Sequence, residues 1–181
     1  MEALRQDRRY TYDDYMSWPE DERWEIIDGV AYMLAAPTVQ HQDISMELSI
    51  QLGSFLKGKP CRVYAAPFAV RLSDDDVFEP DISIVCDKTK LSDGKVCNGA
   101  PDMIVEVLSP STSVRDKVLK FNKYLQAGVR EYWVVYPDNK TVSTFILIDG
   151  RYVASEYADT DTVPVHVLEG CMISLPDVFA E

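Results

Sequence analysis

The chain has 181 residues, the size of a single domain, since domains typically span about 100–200 residues. Hydrophobic residues make up 46% of the sequence and charged residues 27%, which is the balance of a globular protein with a sizeable core. The 30 acidic residues outnumber the 18 basic ones and give a net charge of -12, which excludes a protein coated in basic charge. Any phosphate-binding surface must therefore be a local patch.

Cysteine and histidine are sparse, with four cysteines and two histidines in the chain. No two cysteines lie at C-x-x-C spacing, so we do not expect a zinc site. The opening residues, MEALRQDRRY, lack the apolar stretch of a signal peptide, and no apolar run approaches the roughly 18 residues of a membrane span. We therefore expect a cytoplasmic protein with four reduced thiols and no membrane contact.

The first part of the chain predicts a short helix, a hairpin and a long helix. Residues 11–16 favour the short helix, and two strand-like runs within 22–35 flank Asp28-Gly29. This pair is a strong hairpin signal because both positions tolerate a positive φ. Residues 38–57 carry apolar side chains at three- and four-residue spacing, which predicts an amphipathic helix ending at Gly58.

Strands dominate the next part of the chain. The runs 62–72, 81–85 and 101–108 predict three strands, and the last is nearly all apolar, as expected of a strand buried on both faces. A polar loop at 87–100 separates the second strand from the third.

A second helix is predicted over 114–127, with Ser113 as its N-cap and Gly128 as its stop. Its predicted buried stripe consists of Val114, Val118, Phe121 and Leu125. A hairpin over 131–136 and 141–148 and a strand over 152–157 follow it. Strands before and after a crossing helix predict an α/β or α+β domain over residues 1–181, with a central mixed sheet flanked by helices.

Two carboxylates do not fit a purely structural role. Glu106 lies inside the apolar run MIVEVL, where an unpaired charge is costly, so it needs either a salt-bridge partner or a bound cation. Asp81 begins a strand directly after a proline, where a carboxylate faces a cleft or simply makes a turn. Asp102, in the second Pro-Asp pair, fits an ordinary turn residue better.

The second helix carries a polar line of its own. Asp116, Lys120 and Tyr124 follow one another at four-residue spacing and so lie on one face. Residues 113–130 hold five basic side chains and one acidic one, which makes this the basic segment of an acidic chain. Such a run is commonly a solvated helix face, and here it is also the candidate phosphate-binding patch.

Taken together, these residues resemble the PD-(D/E)XK nuclease superfamily and, more closely, the Uma-two family of proposed restriction endonucleases. The resemblance covers about residues 10–150. It is carried by YDDYMSWPEDERWEIIDG at 12–29, His41, EPDISIV at 79–85, GAPDMIVEVLSPST at 99–112, Asp116, Lys120, Tyr124 and GVREYWVVYPD at 128–138. The resemblance implies a restriction-endonuclease-like core and a metal-dependent hydrolysis of phosphodiester bonds.

One departure from the superfamily concerns its lysine, which normally follows the acid by two residues on the same strand. Here Leu108 holds that position after Glu106. The resembling family has the same gap and is thought to have moved the lysine to the following helix, which makes Lys120 the candidate, with Lys117 and Lys123 as fallbacks.

The resemblance also implies the ligands and partners of the site. Asp81, Glu106 and the carbonyl of Val107 would bind Mg²⁺ or Mn²⁺, which prefer oxygen ligands. Glu25 would be a further ligand or an acid/base group, whereas His41 is either catalytic or a packed helix residue. Asp116 and Tyr124 would support the site.

DNA is the expected substrate, and a homodimer is expected because cutting both strands is simplest with two related sites. The alternative is a non-catalytic dimeric module on a degenerate nuclease fold. In that case the aromatic residues Tyr132, Trp133 and Tyr136 form either an interface or part of the core.

Overall fold

A computed structural model describes residues 8–19, 21–109 and 114–180, without the side chains of 114–116. The predicted N-cap, Ser113, therefore lies outside the described residues. Val114, the first residue of the predicted buried stripe, lies outside the described side chains. In chain order the elements are α1 (Tyr12–Tyr15), β1 (Trp24–Ile27), β2 (Val30–Met33), α2 (Val39–Leu56), β3 (Arg62–Ala65), β4 (Val70–Ser73), β5 (Asp76–Phe78), β6 (Ile82–Val85), a 3₁₀ turn (Lys88–Leu91), β7 (Cys97–Asn98), β8 (Met103–Val107), α3 (Val114–Ala127), β9 (Glu131–Tyr136), β10 (Thr141–Ile148), β11 (Arg151–Ala158), β12 (Thr162–Pro164), β13 (Met172–Ser174) and α4 (Leu175–Val178).

The described strands form a central mixed sheet in the order β11-β10-β9-β8-β6-β3 and a second sheet in the order β2-β1-β5-β4-β7. The predicted α+β fold with a central mixed sheet flanked by helices is confirmed. In the central sheet β8 and β9 are parallel, and α3 makes the crossover that parallel neighbours require. β6 and β8 are antiparallel neighbours, and β8 lies in the middle of the sheet.

The central sheet is covered on both faces. Helix α2 lies on one face, with Ile44, Leu48, Leu52 and Leu56 packed against β6, β8 and β9. On the other face lie α3, represented by the fully buried Tyr124, and the second sheet, represented by Ile27 and Phe78. Because side chains alternate along β8, Ile104 and Glu106 point toward this second face, and Met103, Val105 and Val107 pack on the α2 side.

Aromatic residues of β9 belong to the core. The side chain of Trp133 is fully buried on the α2 face, and Tyr132 is buried on the α3 face. The same strand holds the buried Glu131, which accepts hydrogen bonds from Trp133 Nε1 at 2.7 Å and from the backbone of Val167 at 2.8 Å. The contact with Val167 fixes the C-terminal segment to the central sheet, and the contact with Trp133 holds the Glu131 carboxylate in place.

Two predictions about elements were wrong. The run 62–72 is two strands in different sheets, β3 and β4, since Pro67 lacks an N–H for a continuous ladder. The predicted stripe on α3 fails at Val118, which is 54% exposed, because the face with Lys120 and Tyr124 is turned toward Glu106 instead. The spacing of apolar residues did not predict the buried face of α3, because that face is partly polar.

The expectation of four reduced thiols was also wrong. Cys61 and Cys86 form a disulfide, since the antiparallel register of β3 and β6 brings the residues just outside Arg62 and Val85 opposite each other. Cys97 and Cys171 are free and buried. Among the helices that the structure describes, none is long and apolar enough to cross a membrane.

We expect the α2 face of the core to be the main source of stability. Leu52→Ala should lower the free energy of unfolding by about 2–5 kcal/mol, because it removes fully buried methyl groups and leaves a cavity. Ile50→Ala, at a position that is 52% exposed on the same helix, is the matched control and should change it by less than about 0.5 kcal/mol. Urea unfolding of both variants measures the difference, and equal losses would contradict this assignment of the core.

Candidate active site

The register of β6 and β8 brings the two predicted carboxylates together. Ile82 pairs with Val105, so Asp81, one residue before β6, lies beside Glu106. Asp81 Oδ2 accepts a hydrogen bond from the backbone N–H of Val107 at 2.7 Å, which ties the two strands together at this point. Residues 25 positions apart in the sequence thus share one end of the central sheet.

Lys120 reaches this pair from α3. Its ammonium donates to Glu106 Oε1 at 3.0 Å and to Glu25 Oε1 at 2.8 Å. Glu25 is a fully buried residue of β1, so Lys120 connects the second sheet to the central one. The Tyr124 hydroxyl donates to the same Glu106 oxygen at 2.7 Å, which fixes that carboxylate from the next turn of the helix.

His41 approaches from the opposite side, at the start of α2. Its Nε2 lies 3.1 Å from Asp81 Oδ2 and, as the donor, holds that oxygen together with the Val107 N–H. Burial lowers the pKa of His41, but the hydrogen bond and charge of Asp81, with Glu106 and the Val107 backbone, outweigh burial and raise it above its ordinary value. The histidine is therefore a positioning group for Asp81 with a tendency to carry positive charge.

Glu25, Asp81 and Glu106 each use one carboxylate oxygen in the hydrogen bonds described above. Glu25 Oε1 also accepts from the backbone N–H of Glu79 at 3.0 Å. Glu25 Oε2 is buried and has no hydrogen-bond partner within the described part of the chain. Since buried polar atoms are nearly always paired, this oxygen indicates that the cleft is built to hold something more than its own side chains.

The donor set suits a divalent cation that prefers oxygen. Mg²⁺ is commonly bound by one or two carboxylates with water and substrate phosphate completing its shell, and Asp81 and Glu106 face one cleft. The described residues contain no group of three or more His, Cys, Asp or Glu side chains that holds a metal by itself. The residues present therefore fit a Mg²⁺ or Mn²⁺ ion that shares its shell with substrate, and they do not fit a closed structural site.

The buried charges shift one another's protonation. Burial raises the pKa of Glu106 to about 7, although the ammonium of Lys120 acts in the opposite direction. Burial lowers the pKa of Lys120, but the charges of Glu106 and Glu25 outweigh it and raise the pKa above its ordinary value. Lys120 is thus a permanent cation at neutral pH, whereas the charge of Glu106 responds to pH or to a bound ion.

The cluster lies in a cleft of about 860 Å³ that opens to solvent. Among the described residues that line it, four carboxylates face three permanent cations, and His41 adds a further positive charge when it is protonated: Glu25, Glu79, Asp81 and Glu106 against Arg23, Lys117 and Lys120. The carboxylates repel phosphate unless further positive charge is added beside them.

Of the three predicted lysines, Lys120 is the one that contacts Glu106. Lys123 pairs instead with Asp28 and with Asp76, the latter at 2.8 Å. Lys117 lines the cleft, and its ammonium lies 5.2 Å from the centre of the Tyr136 ring. The side chain of Asp116, the remaining predicted residue, is outside the described side chains.

Sequence reasoning missed two residues of the cleft. Arg23 precedes Glu25 by two residues, so strand alternation places both on one face, a signal that was available in the sequence. Glu79, buried just before Pro80 and Asp81, accepts from Arg23 Nε at 2.9 Å and from the Tyr15 hydroxyl at 2.8 Å. Asp102 is the ordinary residue it was expected to be, since it accepts from the Cys86 N–H and from Arg130.

Comparisons with known proteins show the family of this chain and a solved structure of similar fold. The model of the Uma2 family, described as "Putative restriction endonuclease", matches residues 12–176. The "Uncharacterized protein slr1290" of Synechocystis is 30% identical over 115 residues, which are 62% of this chain and 60% of that protein, so the chain spans about three-fifths of this relative. The crystal structure of "a putative nuclease belonging to DUF820" from Anabaena variabilis has a TM-score of 0.79 at 23% identity, over 94% of this chain and 97% of that one.

The raised pKa of Glu106 makes stability depend on pH. Between about 4.5 and about 7, Glu106 is protonated in the folded protein and ionised in the unfolded one, so the free energy of unfolding falls as the pH rises through this window. Glu106→Gln lacks this contribution. In buffer with EDTA, the stability of the wild type relative to this variant should therefore decline from pH 4.5 to 7, by a few kcal/mol at most, since one pKa unit is about 1.4 kcal/mol.

Urea unfolding at several pH values measures this decline. Glu156→Gln, at an exposed position on β11, is the control and should leave the pH dependence of the wild type intact. A difference between wild type and Glu106→Gln that stays flat across the window would contradict the assignment.

Proposed function

The chain belongs to the Uma2 family, and we propose that it is a nuclease of the restriction-endonuclease type that hydrolyses phosphodiester bonds of DNA with the help of Mg²⁺ or Mn²⁺. The observation that carries the proposal is the contact of one lysine with two buried carboxylates beside a third, at the open end of a central sheet. This combination supplies ligands for a cation and a fixed positive charge for a phosphate.

In this proposal Asp81, Glu106 and the carbonyl of Val107 hold the divalent ion, and Glu25 is a further ligand or holds Lys120 in place. When bound, the ion lowers the pKa of a water molecule and neutralises charge on the phosphate. It also reverses the net negative charge of the cleft, which matters because the substrate is a polyanion.

The side chains of the protein have separate tasks. Lys120 is held protonated by its two carboxylates, so it acts as a hydrogen-bond donor to phosphate oxygens, whose negative charge grows during hydrolysis, and not as a base. Tyr124 holds Oε1 of Glu106 and His41 holds Oδ2 of Asp81, so both carboxylates are fixed in orientation at the cleft. A water oxygen then adds to phosphorus as the bond to the leaving oxygen breaks, and no covalent enzyme intermediate is required.

Lys120 and Glu106 should differ in what their loss removes. Lys120→Ala should lower the rate of hydrolysis by about 100-fold or more, as expected for loss of a charge-stabilising donor, yet change metal affinity little. Glu106→Ala should remove both activity and metal binding. A nuclease assay on supercoiled, linear and single-stranded DNA with Mg²⁺ and Mn²⁺ measures the rate of hydrolysis. The metal-dependent rise in melting temperature measures metal binding.

The matched control is Lys123→Ala, one turn away on α3, whose ammonium pairs with Asp28 and Asp76 outside the cleft. It should keep the activity of the wild type. If the wild type shows neither hydrolysis nor a metal-dependent rise in melting temperature, the nuclease proposal is wrong, and the non-catalytic module becomes the better description.

We propose further that the enzyme acts as a homodimer. A two-fold dimer presents two related sites, one for each strand of a duplex. Light scattering at micromolar concentration should give about twice the mass of one chain. A monomer would refute the dimer and leave the assignment of the active site unchanged.

A further inference from the structure

The cleft does not end at the carboxylates. It continues past His41 and Asp81 into a groove of about 640 Å³, which we call the α2 groove. The two cavities share Arg23, Pro37, His41 and Asp81, so a ligand that fills one borders on the other. The remaining walls of the α2 groove come from the outer side of helix α2 and from the segment 65–67, and the polar side chains among them are Gln42, Ser45 and Ser49.

The charge of the α2 groove differs from that of the main cleft. Among its described lining residues, Asp81 is the one carboxylate and Arg23 is a cation. Helix α2 contributes the amide and hydroxyl groups of Gln42, Ser45 and Ser49, together with His41 and the apolar Met46. Neutral hydrogen-bonding groups and arginine are the groups that contact the sugar–phosphate backbone in protein–nucleic acid complexes. In a chain with a net charge of -12, this is a path along which a row of phosphates meets few carboxylates.

Arg23 is held at the junction of the two cavities. Its Nε donates to Glu79 Oε2 at 2.9 Å, and the other oxygen of Glu79 accepts from the Tyr15 hydroxyl at 2.8 Å. Glu79 is 7% exposed, so the anchor is buried, whereas the side chain of Arg23 is 32% exposed. A guanidinium has five N–H donors, and the contact with Glu79 uses the one on Nε. The four donors on the two Nη atoms are not used by Glu79 and have the geometry that suits a phosphate.

We propose that the α2 groove binds the backbone of the strand being cut, with Arg23 on the phosphate next to the scissile one. Gln42, Ser45 and Ser49 then contact the sugar–phosphate backbone beyond it. The inference rests on the proposed function, because it assumes that the scissile phosphate lies at Asp81, Glu106 and Lys120. It adds the direction in which the substrate strand leaves the site and the residues that hold it.

The sharpest test places a negative charge in the groove without touching the catalytic cluster. Gln42→Glu adds a carboxylate at an exposed position that lines the groove. Gln40→Glu makes the same change two residues earlier on α2, at an exposed position about 200° away around the helix that does not line the groove. Because both variants have the same net charge, a difference between them reports on the groove alone.

Binding of a fluorescent DNA oligonucleotide is measured by anisotropy in Ca²⁺ over a range of salt concentrations, and cleavage is measured in Mg²⁺. Gln42→Glu should weaken binding about fivefold or more at low salt, as expected of one like-charge contact in a solvated groove, and Gln40→Glu should bind like the wild type. Arg23→Met should reduce the slope of log affinity against log salt by about 0.7–0.9, the value for one lost phosphate contact.

Arg23→Met leaves the buried Glu79 without its cation, so its melting temperature is measured first, and Gln42→Glu supplies an independent answer if Arg23→Met is unfolded. If the wild type binds and cleaves DNA while Gln42→Glu and Gln40→Glu behave alike, the proposal that the α2 groove binds the substrate strand is wrong, and the nuclease proposal stands. If the wild type neither binds nor cleaves DNA, both proposals are refuted.

Discussion

The structure depends on one ammonium group that two carboxylates from different sheets share. Glu25 comes from the second sheet and Glu106 from the central one, and burial of either without a cation would be strongly unfavourable. Lys120, on the helix between β8 and β9, makes that burial possible. The position of α3 over the sheet, the approach of β1 to β8 and the polar character of the α3 face all follow from this requirement.

The same requirement explains why the cluster suits chemistry on phosphates. A salt bridge made only for stability would match charges, whereas here Lys120 is shared by two carboxylates and one buried oxygen of Glu25 has no partner among the described residues. The carboxylates around Lys120 therefore have a local deficit of positive charge, next to a lysine that cannot lose its proton. A bound divalent ion and a phosphate would correct that deficit together, so each favours the binding of the other.

Much of the fold was readable from the sequence because its signals are local. The Asp28-Gly29 turn, the periodicity of α2 and the apolar run of β8 each predict an element without knowledge of the rest. The division of 62–72 between two sheets and the disulfide of Cys61 were not readable, since both depend on how β3 pairs with β6. Hydrophobic periodicity failed on α3 because it assumes an apolar buried face.

The sequence predicted which residues form the site better than it predicted the strand pairing and hydrogen bonds that bring them together. Asp81, Glu106 and Lys120 were selected by the apolar setting of Glu106, the helical spacing of Lys120 and the resemblance to a family, whereas the register that joins Asp81 to Val107 is a property of paired strands. Arg23 and Glu79 were passed over because each has an ordinary neighbourhood in the sequence. Their importance comes from Tyr15 and from the junction of two cavities, which no local pattern encodes.

The contact between Lys120 and Glu25 spans 95 positions of the chain, which has a consequence for folding. Contacts of such long range form late, since the entropy of closing a long loop must be overcome before they contribute. The hairpin of β1 and β2 and the crossover of β8, α3 and β9 must each be in place before the ammonium meets both acids. A partly folded chain in which these elements have not yet met therefore lacks the assembled cluster, and any activity of the cluster depends on the tertiary fold.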